Sequence, residues 1–343
     1  MKRFWLFFGL ATLVGGVFLW LAARSLPWSE VGAWADTRDA SHMAMWGVIF
    51  VFAFSVSHAA RVFRWYYLVR PLGEVSPGTV HRVCVVGLTA ILLLPLRLGE
   101  LVRPYLLARR TPFAMTAVLG TAVVERVVDG LVVTGLLFVT LATYDGAHSP
   151  EFARVTGMIS AAIFLPALGM IILAMVSRRR AIALVHSTFG RVSSALGDKL
   201  AGLLESFIDG FRALAAGHAV LPFMGITAMY WGANIFSMWL LARFGFGFEV
   251  GLWETTTILA VIVIGIMIPA GPAGVGNFEF FTVRGLALFV VLEGTAGVAA
   301  GAFAATLHIL QFLVIAIPGF VVMWSDPEAR HLIRLSREAD SAV

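Results

Sequence analysis

Long apolar runs alternate with short polar connections along almost the whole chain. A transmembrane helix needs about 20 mainly apolar residues, and candidate segments recur at residues 1–23, 43–64, 93–110, 114–143, 155–176, 219–241, 253–293 and 295–324. The pattern predicts an all-α polytopic membrane protein with eight hydrophobic segments, about six of them full transmembrane helices. The first run is either a cleaved signal peptide or a retained span, and its length favours a retained span.

Two of these segments are interrupted by proline and glycine, which do not continue a helix. The first, 93–110, contains Pro95, Gly99 and Pro104, and the second, 253–293, contains Pro269, Gly271, Pro272, Gly274 and Gly276. Non-helical backbone at membrane depth is tolerated where it is buried in protein or lines a wet cavity. We therefore expect two re-entrant helical hairpins, with one kinked span as the alternative for the first.

The flanking charges predict that the two hairpins enter from opposite faces of the membrane. Arg82, Arg109 and Arg110 flank the first hairpin, whereas Glu249, Glu254 and Glu293 flank the second. Basic residues concentrate on the cytoplasmic side of membrane proteins, so the first hairpin is expected to enter from the cytoplasm and the second from outside. Oppositely oriented interrupted segments are typical of inverted-repeat transporters.

The remaining basic residues predict that both termini are cytoplasmic. Arg61, Arg64 and Arg70 end the second segment beside three aromatic residues, and Arg178, Arg179 and Arg180 end the fifth. Residues 177–218 are predicted to be an amphipathic cytoplasmic connection lying on the membrane surface. Residues 325–343 are predicted to be a short cytoplasmic tail, and the whole chain, 1–343, is predicted to be a single integral membrane domain.

Composition agrees with this class of protein. Hydrophobic residues make up 59% of the chain and charged residues 13%, with a net charge of +5, whereas soluble domains have about 25% charged residues. We attribute the positive charge to cytoplasmic loops and anionic lipid headgroups, and we expect no nucleic-acid partner. Cys84 is the only cysteine, so an intrachain disulfide and a cysteine-based zinc site are both excluded.

Two groups of charged residues lie inside predicted membrane segments, where such residues are costly and usually functional. Arg97, Glu100 and Arg103 follow one another at i,i+3 spacing in the first hairpin. Glu125, Arg126 and Asp129 share one helix, with the two acids at i,i+4 spacing. Because two cations flank Glu100, positive potential remains for a lipid phosphate. A self-neutralised cluster that only joins helices is the alternative for the second group.

The second hairpin carries further polar candidates. Asn277 is a predicted N-cap of the helix that follows the Pro/Gly interruption, and a free helix N-terminus there would favour an anion. Glu279 and Arg284 lie on the same helix. His308 and Gln311, in the last segment, either line a polar cavity or bond to neighbouring helices. The sequence has no metal-ligand set and no nucleophile beside a base, so no catalytic residue, metal or other cofactor is predicted.

Four motifs resemble the transmembrane family of lysylphosphatidylglycerol synthases, also called flippase-like domain proteins. They are RWYYLVRPLG at 64–73, LPLRLGELVRPYL at 94–106, ERVVDG at 125–130 and PAGVGNFE at 272–279. Their order and spacing extend the resemblance over nearly the whole chain. The soluble aminoacyl-transferring domain of full-length synthases is not expected, because only about 20 residues follow the last hydrophobic segment.

The resemblance implies a multi-pass protein of the bacterial cytoplasmic membrane that moves lipid without synthesising it. The expected function is that of a flippase or scramblase for a polar, anionic or phosphate-linked lipid, and membrane lipids are the expected partners. A homo-oligomer is left open. An enzyme acting on a lipid-linked substrate and an accessory membrane protein are the alternatives. The predicted substrate-binding residues are Arg97, Glu100, Arg103, Glu125, Arg126, Asp129, Asn277, Glu279 and Arg284.

Overall fold

The computed structural model describes residues 2–24, 27–37, 39–94, 99–143, 150–191, 193–216, 219–268 and 271–325. This part of the chain is all-helical, as predicted, and contains no β-strand. Its α-helices are α1 (Lys2–Arg24), α2 (Val31–Asp36), α3 (Ala40–Val69), α4 (Pro77–Leu93), α5 (Val102–Arg110), α6 (Met115–Thr143), α7 (Pro150–Val176), α8 (Arg178–Phe189), α9 (Ser194–Ala216), α10 (Val220–Leu240), α11 (Leu252–Gly265), α12 (Asn277–Leu286) and α13 (Thr295–Ser325).

Two helices in the described ranges are long and apolar enough to cross a membrane by length and composition alone. They cover Ala40–Leu72, which is α3 with its short 3-10 extension, and Thr295–Ser325, which is α13. Several other helices are also long, with 29 residues in α6, 27 in α7 and 21 in α10. At 1.5 Å per residue even α10 is about 31 Å long. The number of full spans stays a prediction.

The two predicted interruptions are present. In the first, α4 ends at Leu93 and is followed by the nine-residue α5. In the second, the 14-residue α11 is followed by a 3-10 turn at Pro272–Gly274 and the ten-residue α12. Helices of nine or ten residues are only about 13–15 Å long, well short of a 30 Å hydrocarbon core. Each short helix packs against its preceding helix, and the Pro272–Gly274 turn contacts α4, so the two interrupted segments meet inside the protein.

The start of α12 differs from the sequence prediction. Its N-cap is Gly276, whose φ of 90° is accessible to glycine without a Cβ clash. The Gly276 amide donates to Glu279 Oε2 at 2.7 Å. Asn277 is the first residue of α12, and its Nδ2 donates to the Ile268 carbonyl at 3.0 Å. The prediction of Asn277 as the N-cap is therefore wrong, because this side chain instead joins the start of α12 to the segment after α11.

The amphipathic connection predicted at 177–218 contains two helices, α8 and α9. The first, α8, ends at Phe189 and is capped by Gly190, whose amide donates to the His186 carbonyl. The second, α9, packs against α8 and along α6. Its buried residues include Ala201 and Ile208. The apolar side of this connection thus has a protein partner.

Gly99 provides a test of how closely the first interrupted segment packs. A Cβ atom at this position would overlap the backbone of Ala90 and Ile91 in α4, whereas a Cβ at Gly135 in α6 would meet no atom within 4 Å. We expect Gly99→Ala to destabilise the protein by about 1–3 kcal/mol, the usual cost of overpacking. Gly135→Ala is the matched control and should have no destabilising effect. Equal unfolding midpoints for the two variants in detergent would contradict this packing.

Candidate functional site

Arg64, in the last turns of α3, is at the centre of a buried ion-pair network. Its guanidinium donates to both carboxylate oxygens of Asp129, at 2.7 and 2.6 Å, and to Glu125 Oε1 at 2.9 Å. The Arg64 and Glu125 side chains are fully buried. The sequence places Arg64 among the basic residues at the predicted cytoplasmic end of the second segment, and in the structure the acidic face of α6 holds this side chain inside the protein.

Arg103, on α5, reaches the same network from the other side. Its Nη2 lies 2.6 Å from Glu125 Oε2, and its guanidinium stacks on the Trp65 ring at 4.7 Å. Its Nη1 is 3.7 Å from Cys84 Sγ. Arg103 is 1% exposed, so it faces the protein interior and pairs with Glu125 rather than with Glu100 on its own segment.

The four buried charges balance: Arg64 and Arg103 carry two positive charges, and Glu125 and Asp129 carry two negative charges. They connect α3, α5 and α6. A buried charge is tolerated when it is paired and hydrogen-bonded. The network therefore accounts for these residues as a structural link, and none of its charge remains for a ligand.

Arg126 and Glu100 occupy a different position, at the edge of this network. Their side chains are 26% and 28% exposed, and Arg126 Nε lies 3.8 Å from Glu100 Oε2. Arg126 is also 3.8 Å from Glu125 and from Asp129. These distances exceed the 2.7–3.2 Å of a hydrogen bond, and Nε and Nη2 of Arg126 have no hydrogen-bond partner in the described part of the chain. Arg126 is thus held in place electrostatically, and two of its nitrogens are buried without a hydrogen-bond partner among the described residues.

A cavity of about 630 Å³ opens beside Arg126. Both interrupted segments contribute to its wall, the first through Glu100 and Leu101 and the second through Ala273 and Phe278. Most of the remaining wall is apolar side chains from α3, α10, α11 and α13, among them Phe54, Trp231, Ile262 and Phe312. Pockets of this size, mainly apolar with a few converging polar groups, are typical ligand sites.

Arg61 also lines this cavity, although it is not among the site residues predicted from the sequence. It lies one turn before Arg64 and stacks on the Tyr230 ring at 5.9 Å. Among the described residues it has no carboxylate within ion-pair distance, and its Nε has no hydrogen-bond partner. The i,i+3 spacing between Arg61 and Arg64 could have indicated this position from the sequence, because residues at that spacing share one face of α3.

His308 on α13 also lines this cavity, and it pairs with Glu279 on α12, which lines a separate cavity of about 330 Å³. Nδ1 of His308 is 2.6 Å from Glu279 Oε1, and Nε2 is 3.1 Å from the Ala273 carbonyl. The Phe278 ring stacks on the imidazole at 4.4 Å. His308 therefore fits both roles considered from the sequence, because it lines the cavity and also bonds to a neighbouring segment. Gln311 lines the cavity as well.

One predicted residue on α12, Arg284, lies away from this site. Arg284 is exposed, stacks on Phe280 at 5.6 Å and lines a separate cavity of about 250 Å³ beside α1. Arg97 lies outside the described residues. Within the described ranges no three histidine, cysteine or acidic residues are grouped to hold a metal ion. Of the nine predicted residues, the cavity wall includes Glu100, Arg126 and Asp129.

Comparisons with known proteins agree with the resemblance seen in the motifs. The chain is 27% identical over 322 residues to glycosyltransferase AglD of Haloferax volcanii, a match that covers 84% of this chain and 51% of the relative. It therefore spans about half the length of that protein. No solved structure matches the chain. The lysylphosphatidylglycerol synthase TM region matches residues 7–319, and the chain belongs to that membrane-protein family.

Proposed function

We propose that this protein moves a polar, phosphate-bearing lipid across the membrane, as a flippase or scramblase. The observation that carries the proposal is the 630 Å³ cavity between the two interrupted segments, where Arg61 and Arg126 face the open space. The neighbouring buried network is neutral by itself, so the charge of these two arginines is not cancelled by it.

The chemistry of the wall suits an anionic headgroup. Arginine guanidinium groups bind phosphate through paired, charge-assisted hydrogen bonds. Arg126 has two nitrogens without hydrogen-bond partners in the described part of the chain, and Arg61 has one. The apolar part of the wall, such as Phe54 and Ile262, would contact the glycerol backbone or the first carbons of a lipid chain. A lipid could thus place its headgroup in the cavity while its chains remain in the bilayer.

The arrangement of the interrupted helices also supports transport. In inverted-repeat transporters, interrupted helices from the two halves form a substrate site near the membrane midplane. The segments α4–α5 and α11–α12 are interrupted in this manner and share one cavity. We propose that six helices span the membrane and that the two interrupted segments enter from opposite faces, with both termini cytoplasmic. A headgroup would then pass between them.

The relatives are also consistent with a role in handling lipid. The family model describes a membrane region of a lysylphosphatidylglycerol synthase, and the other relative is named a glycosyltransferase. These names denote different group-transfer reactions, yet both proteins share this membrane region. A function that both proteins share could therefore be independent of either reaction. Lipid movement is such a function, because it requires no group transfer.

A second candidate function, an enzyme acting on a lipid-linked substrate, is favoured by one contact. The 2.6 Å contact between His308 and Glu279 at the cavity wall is the arrangement of a general base and its orienting carboxylate. Both candidates use the same cavity, and they differ in the fate of the lipid. Transport returns the lipid unchanged, whereas catalysis alters its mass.

The test is a transbilayer assay in proteoliposomes containing a fluorescent phosphatidylglycerol, with the recovered lipid analysed by mass spectrometry. We expect the unmodified protein to expose inner-leaflet lipid to a membrane-impermeant quencher without changing the lipid. Arg61→Gln and Arg126→Gln should each slow exposure by roughly tenfold or more, since a charge-assisted hydrogen bond contributes about 1.5–3 kcal/mol. Arg70→Gln, at the exposed end of the same helix as Arg61, is the control and should keep the unmodified rate.

Unmodified rates in folded Arg61→Gln and Arg126→Gln variants would exclude these arginines from transport. An unmodified protein that fails to move phosphatidylglycerol, polyprenyl-phosphate-linked sugars and aminoacylated lipids would overturn the proposal. A changed lipid mass would instead establish the enzymatic alternative.

A further inference from the structure

Three residues in one wall of the central cavity, beyond the arginines, each carry a buried polar atom without a hydrogen-bond partner among the described residues. These atoms are Nε2 of His58 on α3, and Nε1 of Trp231 and Oδ1 of Asn234 on α10. The residues are 8%, 5% and 7% exposed, respectively. All three line the cavity. We call this group the α3–α10 polar wall.

Leaving such atoms unbonded is costly. A buried polar group without a partner costs about 1–3 kcal/mol, and native proteins contain few of them. Three around one cavity therefore call for an explanation specific to that cavity. A ligand that supplies their hydrogen bonds is such an explanation, because the same side chains would then contribute to its affinity.

The packing of α3 against α10 fixes where these atoms lie relative to Arg61. Ser57 Oγ donates to the Tyr230 carbonyl at 3.0 Å, and Arg64 reaches Thr227 Oγ1 at 3.5 Å. The two helices are thus antiparallel. His58 is one turn, about 4.5 Å along the axis, from Arg61. The polar wall consequently continues from the cationic end of the cavity towards Asn234, away from the ion-pair network.

The hydrogen-bonding character of the wall indicates what it would bind. The Trp231 indole only donates, the Asn234 carbonyl oxygen only accepts, and a histidine nitrogen does either according to tautomer. A mixed set of this kind matches hydroxyl groups, each of which both donates and accepts. None of the three residues of this wall is acidic, and the two acids elsewhere in the cavity, Glu100 and Asp129, each lie 3.8 Å from Arg126.

We propose that the α3–α10 polar wall binds the hydroxyl groups of a glycerol or sugar headgroup whose phosphate lies at Arg61. The protein would then select phosphodiester lipids with hydroxylated headgroups over those with alkyl headgroups. This inference rests on the proposed function for the position of the phosphate. A binding measurement tests the headgroup preference without requiring transport. The headgroup preference and the transport function can therefore be contradicted independently.

The experiment compares matched short-chain ligands bound to the full-length protein in detergent, using native mass spectrometry to obtain dissociation constants. One pair is dioctanoyl phosphatidylglycerol and dioctanoyl phosphatidylpropanol, which differ by the two headgroup hydroxyls. The other is citronellyl phosphoglucose and citronellyl methyl phosphate. We expect the unmodified protein to prefer the hydroxylated member of at least one pair by roughly tenfold, equivalent to about 1.4 kcal/mol. The pair that is discriminated identifies a glycerol or a sugar headgroup.

Trp231→Phe and Asn234→Leu should each reduce that preference to less than threefold while leaving affinity for the alkyl member unchanged. The matched control is Trp239→Phe on the same helix, because Trp239 Nε1 already donates to the Val250 carbonyl at 3.2 Å. This variant should keep the full preference. Equal affinity of the unmodified protein for both members of both pairs, or a preference that persists in folded Trp231→Phe and Asn234→Leu variants, would overturn the inference.

Discussion

Replacing Arg64 with methionine is expected to lower the free energy of unfolding by about 3–5 kcal/mol, the cost of breaking a buried ion pair from one side. The substitution removes the bidentate partner of Asp129 and one of the two arginines bound to Glu125. Asp129 would then remain buried with only Arg126, at 3.8 Å. Methionine fills a similar volume, so the predicted loss comes from charge rather than from a cavity.

Unfolding can be followed in mixed micelles of increasing SDS content through the reaction of Cys84 with a thiol-reactive dye. Cys84 is the single cysteine and is buried, so its labelling reports opening of the core. Arg70→Met, at the exposed end of the same helix, is the control and should unfold like the unmodified protein. Arg64→Met/Asp129→Leu should be more stable than Arg64→Met, because it also removes the unpaired carboxylate. An Arg64→Met protein as stable as Arg70→Met would contradict the network.

The sequence predicts the helical class and the two interrupted segments well because these features are local. Clusters of proline and glycine favour helix ends, and α4 and α11 end before the clusters around Gly99 and Gly276, whereas the single Pro318–Gly319 pair lies inside α13. The clustering of charge on α6 is equally local, since Glu125 and Asp129 are neighbours at i,i+4 spacing. Local rules of this kind need no knowledge of which helices pack together.

The pairing of these charges depends on tertiary contacts and could not be predicted in the same way. Arg64 lies beside an aromatic run at the end of an apolar segment. Arginines at a membrane surface have the same sequence context. Arg64 differs from a surface arginine in having a partner 61 and 65 positions away, on α6. Arg103 similarly has a sequence neighbour, Glu100, at a suitable spacing, and yet α5 presents it to Glu125. The spacing identifies available pairs, and helix packing selects among them.

The cavity wall illustrates the same limit for polar residues. Asn234 is recognisable as an unusual residue in an apolar helix, and the natural expectation is a bond to a neighbouring helix. The structure leaves its carbonyl oxygen without a partner in the described ranges and places it in a cavity with His58 and Trp231. Only the relative position of α3 and α10 brings these three side chains together.

Glu125 is expected to be the most sensitive acidic residue of the network, ahead of Asp129. It binds two buried arginines, Arg64 at 2.9 Å and Arg103 at 2.6 Å, whereas Asp129 shares Arg64 with it. Glu125→Leu leaves Arg103 with no carboxylate within ion-pair distance in the described part of the chain, and should cost about 3–5 kcal/mol. Asp129→Leu leaves Arg64 bound to Glu125, and should cost about 1.5–3 kcal/mol, the range for hydrogen bonds to a charged group.

The double variant Glu125→Leu/Arg103→Leu separates this explanation from a simple packing defect. It removes the stranded cation while Arg64 keeps Asp129, so it should be more stable than Glu125→Leu despite carrying one more substitution. Because Arg103 contacts Cys84, unfolding in this series should be followed by tryptophan fluorescence rather than by thiol labelling. If Asp129→Leu is the more damaging single change, or if the double variant is the least stable, then Glu125 does not hold the network together through its two arginines.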